Sequence, residues 1–225
     1  MKPSTIIFDR DHTLVRIDPA PLIRRFQSIV SEPAIDLIQF WQSWDGGFPA
    51  TPADEPAFWT TYWTTLVRRY GLDEALIPRL VNELGMQYHT AFQVYDDTLE
   101  TLAALKGRGL RLAILTNFEL SSIERVLESA GITAAWFDAI VSAAAVGHLK
   151  PHPEAYLHVA RQLGEPPEAC VLVDDDFENV IGARKVGMRA VCIYRSSAGK
   201  APPEPYLRNL AELVPWLDAI ERSQE

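Results

Sequence analysis

The sequence predicts an α/β fold, a Rossmann-like parallel sheet interrupted after its first strand by a helical insertion, and three observations carry that prediction. Five short apolar runs, at residues 4–8, 110–115, 138–141, 170–173 and 189–194, lack the polar alternation of half-exposed strands and read as strands covered on both faces. Helical patterns separate the runs from residue 97 onward, the alternation expected of a doubly wound layer. Between Thr13 and Tyr95, by contrast, no strand is evident and the pattern is helical throughout. The expected organisation is a core built from residues 1–14 and 96–225, with a separate helical domain at 15–95.

In chain order, the first strand is STIIF, and the insertion divides into helices near 20–31, 33–44, 55–70 and 73–90 around a Gly- and Pro-rich loop at 45–56. Trp41, Trp44, Trp59 and Trp63 fall in this segment with Phe26, Phe40, Phe48, Phe58, Tyr62 and Tyr70, so it has its own source of buried area. A helix over 97–107 opens with Asp97 and Glu100 in capping-box spacing. A second over 121–130 opens with Ser121 and Glu124 and closes at Gly131. Pro153 suits a first helical turn, and residues 195–205 read as an irregular loop before a final helix.

Composition narrows the function. Of 225 residues, 48% are hydrophobic and 23% charged, which excludes disordered and fibrous classes. Thirty acidic against 21 basic residues give a net charge of −9, so broad capture of nucleic acid or anionic lipid is not expected. Asp9, Arg10 and Asp11 interrupt the first apolar run before a signal-peptide core forms, and no uncharged run reaches membrane-spanning length. Cys170 and Cys192, each inside an apolar run, read as buried thiols in a reducing, cytoplasmic setting.

Ligands of open parallel sheets bind beyond the carboxyl ends of the strands. There the sequence places Asp9 and Asp11 after the first run, Thr116 and Asn117 after the second, and Asp174, Asp175 and Asp176 after the fourth. Asp and Asn also favour strand-to-helix turns and helix caps, so any one of these positions alone has a structural reading. Together they place several carboxylates on one edge, and unit charges 4 Å apart repel by about 4 kcal/mol at an effective dielectric of 20. A hard divalent cation such as Mg²⁺ would offset that repulsion, and Lys150 is a second source of positive charge.

FDRDHTL at 8–14, LTN at 115–117, LKPHPEAY at 149–156 and VLVDDDFENVIGAR at 171–184 resemble, in order, the four motifs of the haloacid dehalogenase-like (HAD) hydrolase superfamily. The position and helical character of the insertion resemble that family's C1-type cap. The resemblance implies a Mg²⁺-dependent phosphatase acting on a small phosphorylated metabolite. Asp9 would be the nucleophile that forms an aspartyl-phosphate, and Asp11 the acid and base. The Thr116 hydroxyl and the Asn117 backbone N–H would bind phosphoryl oxygens, and Lys150 would balance their charge. Asp9, the Asp11 backbone carbonyl and Asp175 would hold Mg²⁺, with Asp174 or Asp176 assisting from outside and Asn179 as a structural hydrogen-bonder.

Four other activities fit the same core. A phosphomutase of the β-phosphoglucomutase type would differ only in its product. A 2-haloacid dehalogenase needs neither the acid at Asp11 nor a metal, and a phosphonate hydrolase would use a cap lysine, which the insertion lacks. A non-catalytic binding protein would not need all four motif anchors. His12, where many relatives carry Gly, reads as a turn residue facing away from the chemistry. Arg16, Arg24, Arg25, Arg68 and Arg69 read as a solvated face, the aromatic residues of the insertion as cap core, and His148, His152 and His158 as surface groups. The GK pair within residues 196–200 lacks the spacing of a phosphate-binding P-loop.

Overall fold

The computed structural model describes residues 2–32, 35–117, 122–195 and 201–222. All four residues of β1 (Thr5–Phe8) are buried, and the apolar ones split between two clusters, Ile6 and Phe8 into one and Ile7 into the other. Covering on both faces is why this run does not alternate. The chain then forms β2 (Val15–Ile17), passes through α1 (Ala20–Ile29), α2 (Leu37–Gln42), α3 (Glu55–Arg69) and α4 (Ile77–Leu80), and returns as β3 (Phe92–Val94). It continues through α5 (Thr98–Gly107), β4 (Arg111–Thr116), α6 (Ile123–Ser129), β5 (Ala139–Ser142), α7 (Ala143–Val146) and α8 (Pro153–Leu163). β6 (Cys170–Asp174), α9 (Phe177–Lys185), β7 (Arg189–Cys192) and α10 (Leu213–Arg222) complete the order.

The main sheet runs β5-β4-β1-β6-β7 with every pairing parallel. Later strands are added to one side of β1 and then to the other, so the strand order reverses at β1 and opens a crevice at its carboxyl end. α5, α6 and α10 cover one face through Leu102, Leu105, Val126, Leu127, Leu213 and Leu217. α8 and α9 cover the other through Tyr156, Val159, Leu163, Val180 and Ala183. No helix among the described residues is long and apolar enough to cross a membrane.

A separate apolar cluster fills the helical segment between β2 and β3. Phe58, Trp59, Tyr62, Trp63, Leu66 and Val67 lie on successive turns of α3 and form one buried stripe, packed against Phe26, Phe40, Leu80 and Leu84. Three expectations for this segment are corrected. β2 and β3 pair antiparallel, Val15 with Val94 and Ile17 with Phe92, where no strand was expected; three residues each are too few for periodicity to register. The helix expected over 73–90 is broken into a 3₁₀ turn at Glu74–Leu76, α4, a π turn at Val81–Gly85 and a 3₁₀ turn at Tyr88–Ala91. The break brings Gly85 against an indole, and a Cβ at that position would lie 2.6 Å from Cγ of Trp59. Finally, the helix expected over 33–44 begins only at Leu37, where the Asp36 side chain accepts from the backbone N–H groups of Ile38 and Gln39.

The core departs from expectation at one cap. Asp97 makes no side-chain capping bond to α5. Its carboxylate instead accepts from the Arg195 guanidinium at 3.0 Å and from the Leu210 N–H at 2.8 Å, joining the start of α5 to the C-terminal segment. Arg195 also donates to the carbonyl of Thr13 at 2.9 Å, so one side chain ties both segments to the loop after β1. Ser121 and residues 196–200 lie outside the described residues.

Candidate active site

Asp9 is the first residue beyond β1, and its N–H donates to the Val173 carbonyl at 2.9 Å, which continues the pairing with β6. Asp174, the last residue of β6, therefore lies beside it. The Lys150 ammonium, 1% exposed, donates to Oδ1 of Asp9 and Oδ2 of Asp174, both at 2.7 Å. Lys150 lies on the connection between α7 and α8 and is positioned by Asn117, beyond the end of β4. Oδ1 of Asn117 accepts from the Lys150 N–H at 2.7 Å, and its Nδ2 donates to the Lys150 carbonyl at 3.2 Å. Thr116, at the end of β4, is 3% exposed. Four chain segments thus converge on the switch point of the sheet.

Asp9, Asp174 and Asp175 each offer a carboxylate oxygen, and these oxygens lie within 4.8 Å of one another. Burial, then Asp174 and Asp11, push the Asp9 carboxyl up to about 8 against the pull of Lys150. Burial and Asp174 likewise push Asp175 up to about 6. Lys150 is moved in the other sense relative to its burial: the two carboxylates hold it protonated above the ordinary lysine range. Ionising all three carboxylates beside one ammonium would leave two negative charges, which the raised Asp9 carboxyl resists and which one divalent cation would balance. A largely buried, all-oxygen donor set that needs two positive charges to ionise fully fits a hard metal ion. The oxygens of Asp174 are already occupied, Oδ2 by Lys150 and Oδ1 by the Asn179 amide and the Asp176 N–H, each at 3.0 Å.

The sequence expectations meet the geometry unevenly. Asp9, Asn117, Lys150 and Asp175 come together, and Asp174 supports them by anchoring Lys150. Asp176 caps α9 by accepting from the Glu178 N–H at 2.9 Å. Asn179 is a structural hydrogen-bonder to Asp174, as its place in α9 suggests. Asp11 is held by a neighbour that the sequence reading overlooked. The buried Arg10 guanidinium donates to both Asp11 oxygens, at 2.7 and 3.0 Å, and stacks 5.1 Å over the Phe92 ring. Its signal was an arginine between two aspartates in an otherwise apolar stretch.

His12 is also corrected. It adopts φ 57°, the left-handed conformation in which Gly carries no steric penalty, and its N–H closes the turn on the Val15 carbonyl at 2.7 Å. The residue lines a cavity of about 290 Å³ under the helical segment, and its imidazole is near enough to Asp175 to oppose the upward push on that carboxyl. The arginines and histidines of the surface conform to expectation. Arg25 pairs with Glu83 and Arg68 with Glu74 on exposed faces, and His148 stacks on His152.

The chain is similar to known proteins over nearly its whole length. A phosphatase of Mycobacterium tuberculosis is 29% identical over 97% of this chain and 98% of its own. The crystal structure of a HAD phosphatase from Thermococcus onnurineus superposes with a TM-score of 0.64 at 26% identity, over 96% of this chain and 98% of that one. An L-2-haloacid dehalogenase superposes with a TM-score of 0.72 at 25% identity, over 96% and 99%. The family model for haloacid dehalogenase-like hydrolases matches residues 3–187, which span β1, the helical segment and the sheet through α9. The chain belongs to the haloacid dehalogenase-like hydrolase family.

Proposed function

We propose that the protein is a Mg²⁺-dependent phosphatase that hydrolyses a small phosphomonoester through an aspartyl-phosphate on Asp9. One observation carries the reading: a buried carboxylate bound to a buried ammonium, beside two further carboxylates whose charge calls for a divalent cation. Asp9 and Asp175 would hold the metal, with the Asp11 backbone carbonyl, since the oxygens of Asp174 are engaged elsewhere. The bound metal would neutralise charge on Asp9 and on the phosphoryl oxygens.

The residues of the chain account for the other steps. An Asp9 oxygen bonds to phosphorus as the bond from phosphorus to the alcohol oxygen breaks, and that oxygen takes a proton from Asp11. Water then attacks phosphorus, gives a proton back to Asp11, and the bond to Asp9 breaks. Arg10 orients the Asp11 carboxyl through its two-point contact. Lys150 remains protonated throughout and balances charge on Asp9 and the phosphoryl group, while Asn117 holds Lys150 in place. The Thr116 hydroxyl and the Asn117 N–H would receive the remaining phosphoryl oxygens. The helices between β2 and β3 would act as a C1-type cap, residues 15–95, over a core of 1–14 and 96–225, and exclude water from the crevice.

The likeness to an L-2-haloacid dehalogenase supports a second reading, in which Asp9 displaces halide from carbon. The carboxylate trio and Asp11 favour phosphoryl transfer over it. Phosphate release from a panel of phosphomonoesters, measured with Mg²⁺ and with EDTA, decides between them when run beside halide release from 2-chloropropionate. Mg²⁺-dependent phosphate release, abolished in Asp9→Asn, is the expected outcome, with free phosphate and no isomerised sugar phosphate as product. Halide release without phosphate release would replace the reading.

A further inference from the structure

The cavity of about 290 Å³ that His12 enters is lined otherwise by residues of β2, α1, α2, α3 and the turns leading to β3, among them Ile17, Leu22, Trp41, Trp63 and Tyr88. Among its described lining residues there is no Lys, Arg, Asp or Glu. It adjoins the proposed chemistry at two places. His12 lies three residues beyond Asp9 and close enough to Asp175 to act on its carboxyl. Tyr88 is near enough to Asp11 for that carboxylate to help keep the phenol protonated, and its ring meets Phe92, on which Arg10 stacks, edge-on at 5.5 Å. On the other side the cavity reaches Ile38, which is 47% exposed and marks its open end.

Resting on the phosphatase reading, we propose that this cavity takes the leaving group of the substrate, which is therefore the phosphomonoester of an apolar alcohol carrying a single aromatic ring. Three features converge on that occupant. A sugar, a nucleotide or a hydroxy acid would bring hydroxyls or charge into a wall with no charged partner, at a desolvation cost that an apolar ring does not incur. A dry apolar cavity of about 150 Å³ accommodates benzene, so nearly twice that volume suits one ring with a short arm. Five lining residues, Trp41, Trp59, Tyr62, Trp63 and Tyr88, are aromatic, and ring-on-ring contact favours an aromatic occupant over an aliphatic one.

The test compares ethyl phosphate, 2-phenylethyl phosphate and glucose 6-phosphate, all esters of primary alcohols, with acetyl phosphate as a small activated control. Burial of a phenyl ring predicts kcat/KM about 30-fold or more higher for 2-phenylethyl phosphate than for ethyl phosphate, with glucose 6-phosphate no better than ethyl. Values for the ethyl and phenylethyl esters within threefold of each other, or a preference for glucose 6-phosphate, overturn the proposal. If acetyl phosphate is hydrolysed in an Asp9-dependent manner while the ester series is flat, the phosphatase reading survives and the substrate class falls. If no phosphate is released from any of the four, both fall together. Calorimetric binding of the product alcohol, 2-phenylethanol, gives a readout apart from turnover. Leu22→Trp, which fills the cavity, should raise its Kd at least tenfold, and an unchanged Kd in a folded variant counts against the site.

Discussion

At the scale of single residues, the structure concentrates its electrostatic cost at Lys150. An ammonium with 1% of its side-chain surface exposed is tolerable only because two carboxylates bind it at 2.7 Å, and each of them depends on it in return. Removing one member of such a group leaves uncompensated buried charge, a loss of about 3 to 5 kcal/mol. Lys150→Met should therefore lower the urea stability of the protein by about 3 kcal/mol. The same change should reduce turnover by at least roughly 100-fold in the fraction that remains folded, since a carrier of transition-state charge is gone. At Cys170 and Cys192 burial is the leading influence. Burial first, and nearby carboxylates second, push the first thiol up to about 11 and the second to about 12. The thiolate is the reactive form, so at pH 8 only about a thousandth of Cys170 and about a ten-thousandth of Cys192 is available. Iodoacetamide at pH 8 should label neither cysteine in the native protein and both after denaturation, followed by mass spectrometry; raising the pH toward 11 should favour Cys170, whose shift is the smaller.

Between elements, the tightest approach near the site is that of α9 to the segment carrying Lys150. A Cβ on Gly182 would lie 2.8 Å from both the carbonyl oxygen and Cβ of Pro151, and 2.7 Å from the Tyr156 hydroxyl, which itself donates to the Asn179 carbonyl. Two effects of opposite sign meet in Gly182→Ala. Helix propensity favours Ala by about 1 kcal/mol, whereas overpacking against fixed backbone costs about 1 to 3 kcal/mol. Backbone and a hydrogen-bonded hydroxyl cannot yield cheaply, so a net loss of about 1 kcal/mol is expected from denaturant titration. Because Pro151 follows Lys150, the shift should also lower kcat, and unchanged kcat would mean that the α9 contact does not set the position of the ammonium. The β2–β3 ribbon shows the complementary case. Two strands of three residues join the helical segment to the core, and they were not legible because so short a stretch carries no measurable period. The elements that were legible, β1 and the four later strands of the main sheet, are those buried on both faces, where composition alone marks them.

For the molecule as a whole, the two positive charges that full ionisation of the crevice would need couple metal binding to stability. A ligand that binds only the folded state at a hundred times its Kd adds about 2.7 kcal/mol. In a chain of 225 residues that corresponds to a rise in Tm of roughly 5 to 10 °C. Mg²⁺ should produce such a rise in the parent protein and a much smaller one in Asp175→Asn, as read by scanning calorimetry; equal shifts would place the ion elsewhere. The partition of the site between legible and hidden parts follows the same logic. The positions of Asp9, Thr116, Asn117 and Asp175 at one edge are readable because a parallel sheet delivers the ends of its strands there, whereas Lys150, on the α7–α8 connection, is singled out only by the motif that contains it. The parts played by Arg10 and Asp174 are not readable, since each depends on which neighbour a side chain meets across the fold: Arg10 meets Asp11 and Phe92, and Asp174 meets Lys150 from a segment 24 residues away.

The sequence by itself determined the layered α/β architecture, the helical interruption after the first strand, and the gathering of carboxylates, amide and ammonium at one sheet edge. Those properties reside in local composition and in the order of strands, both of which are written along the chain. Only the tertiary structure decided that Asp174 anchors Lys150, that Arg10 grips Asp11, and that aromatic residues otherwise indistinguishable from core enclose an uncharged cavity beside His12. Pairing and enclosed volume arise from side chains far apart in sequence and close in space, and no window of residues records how such surfaces fit together.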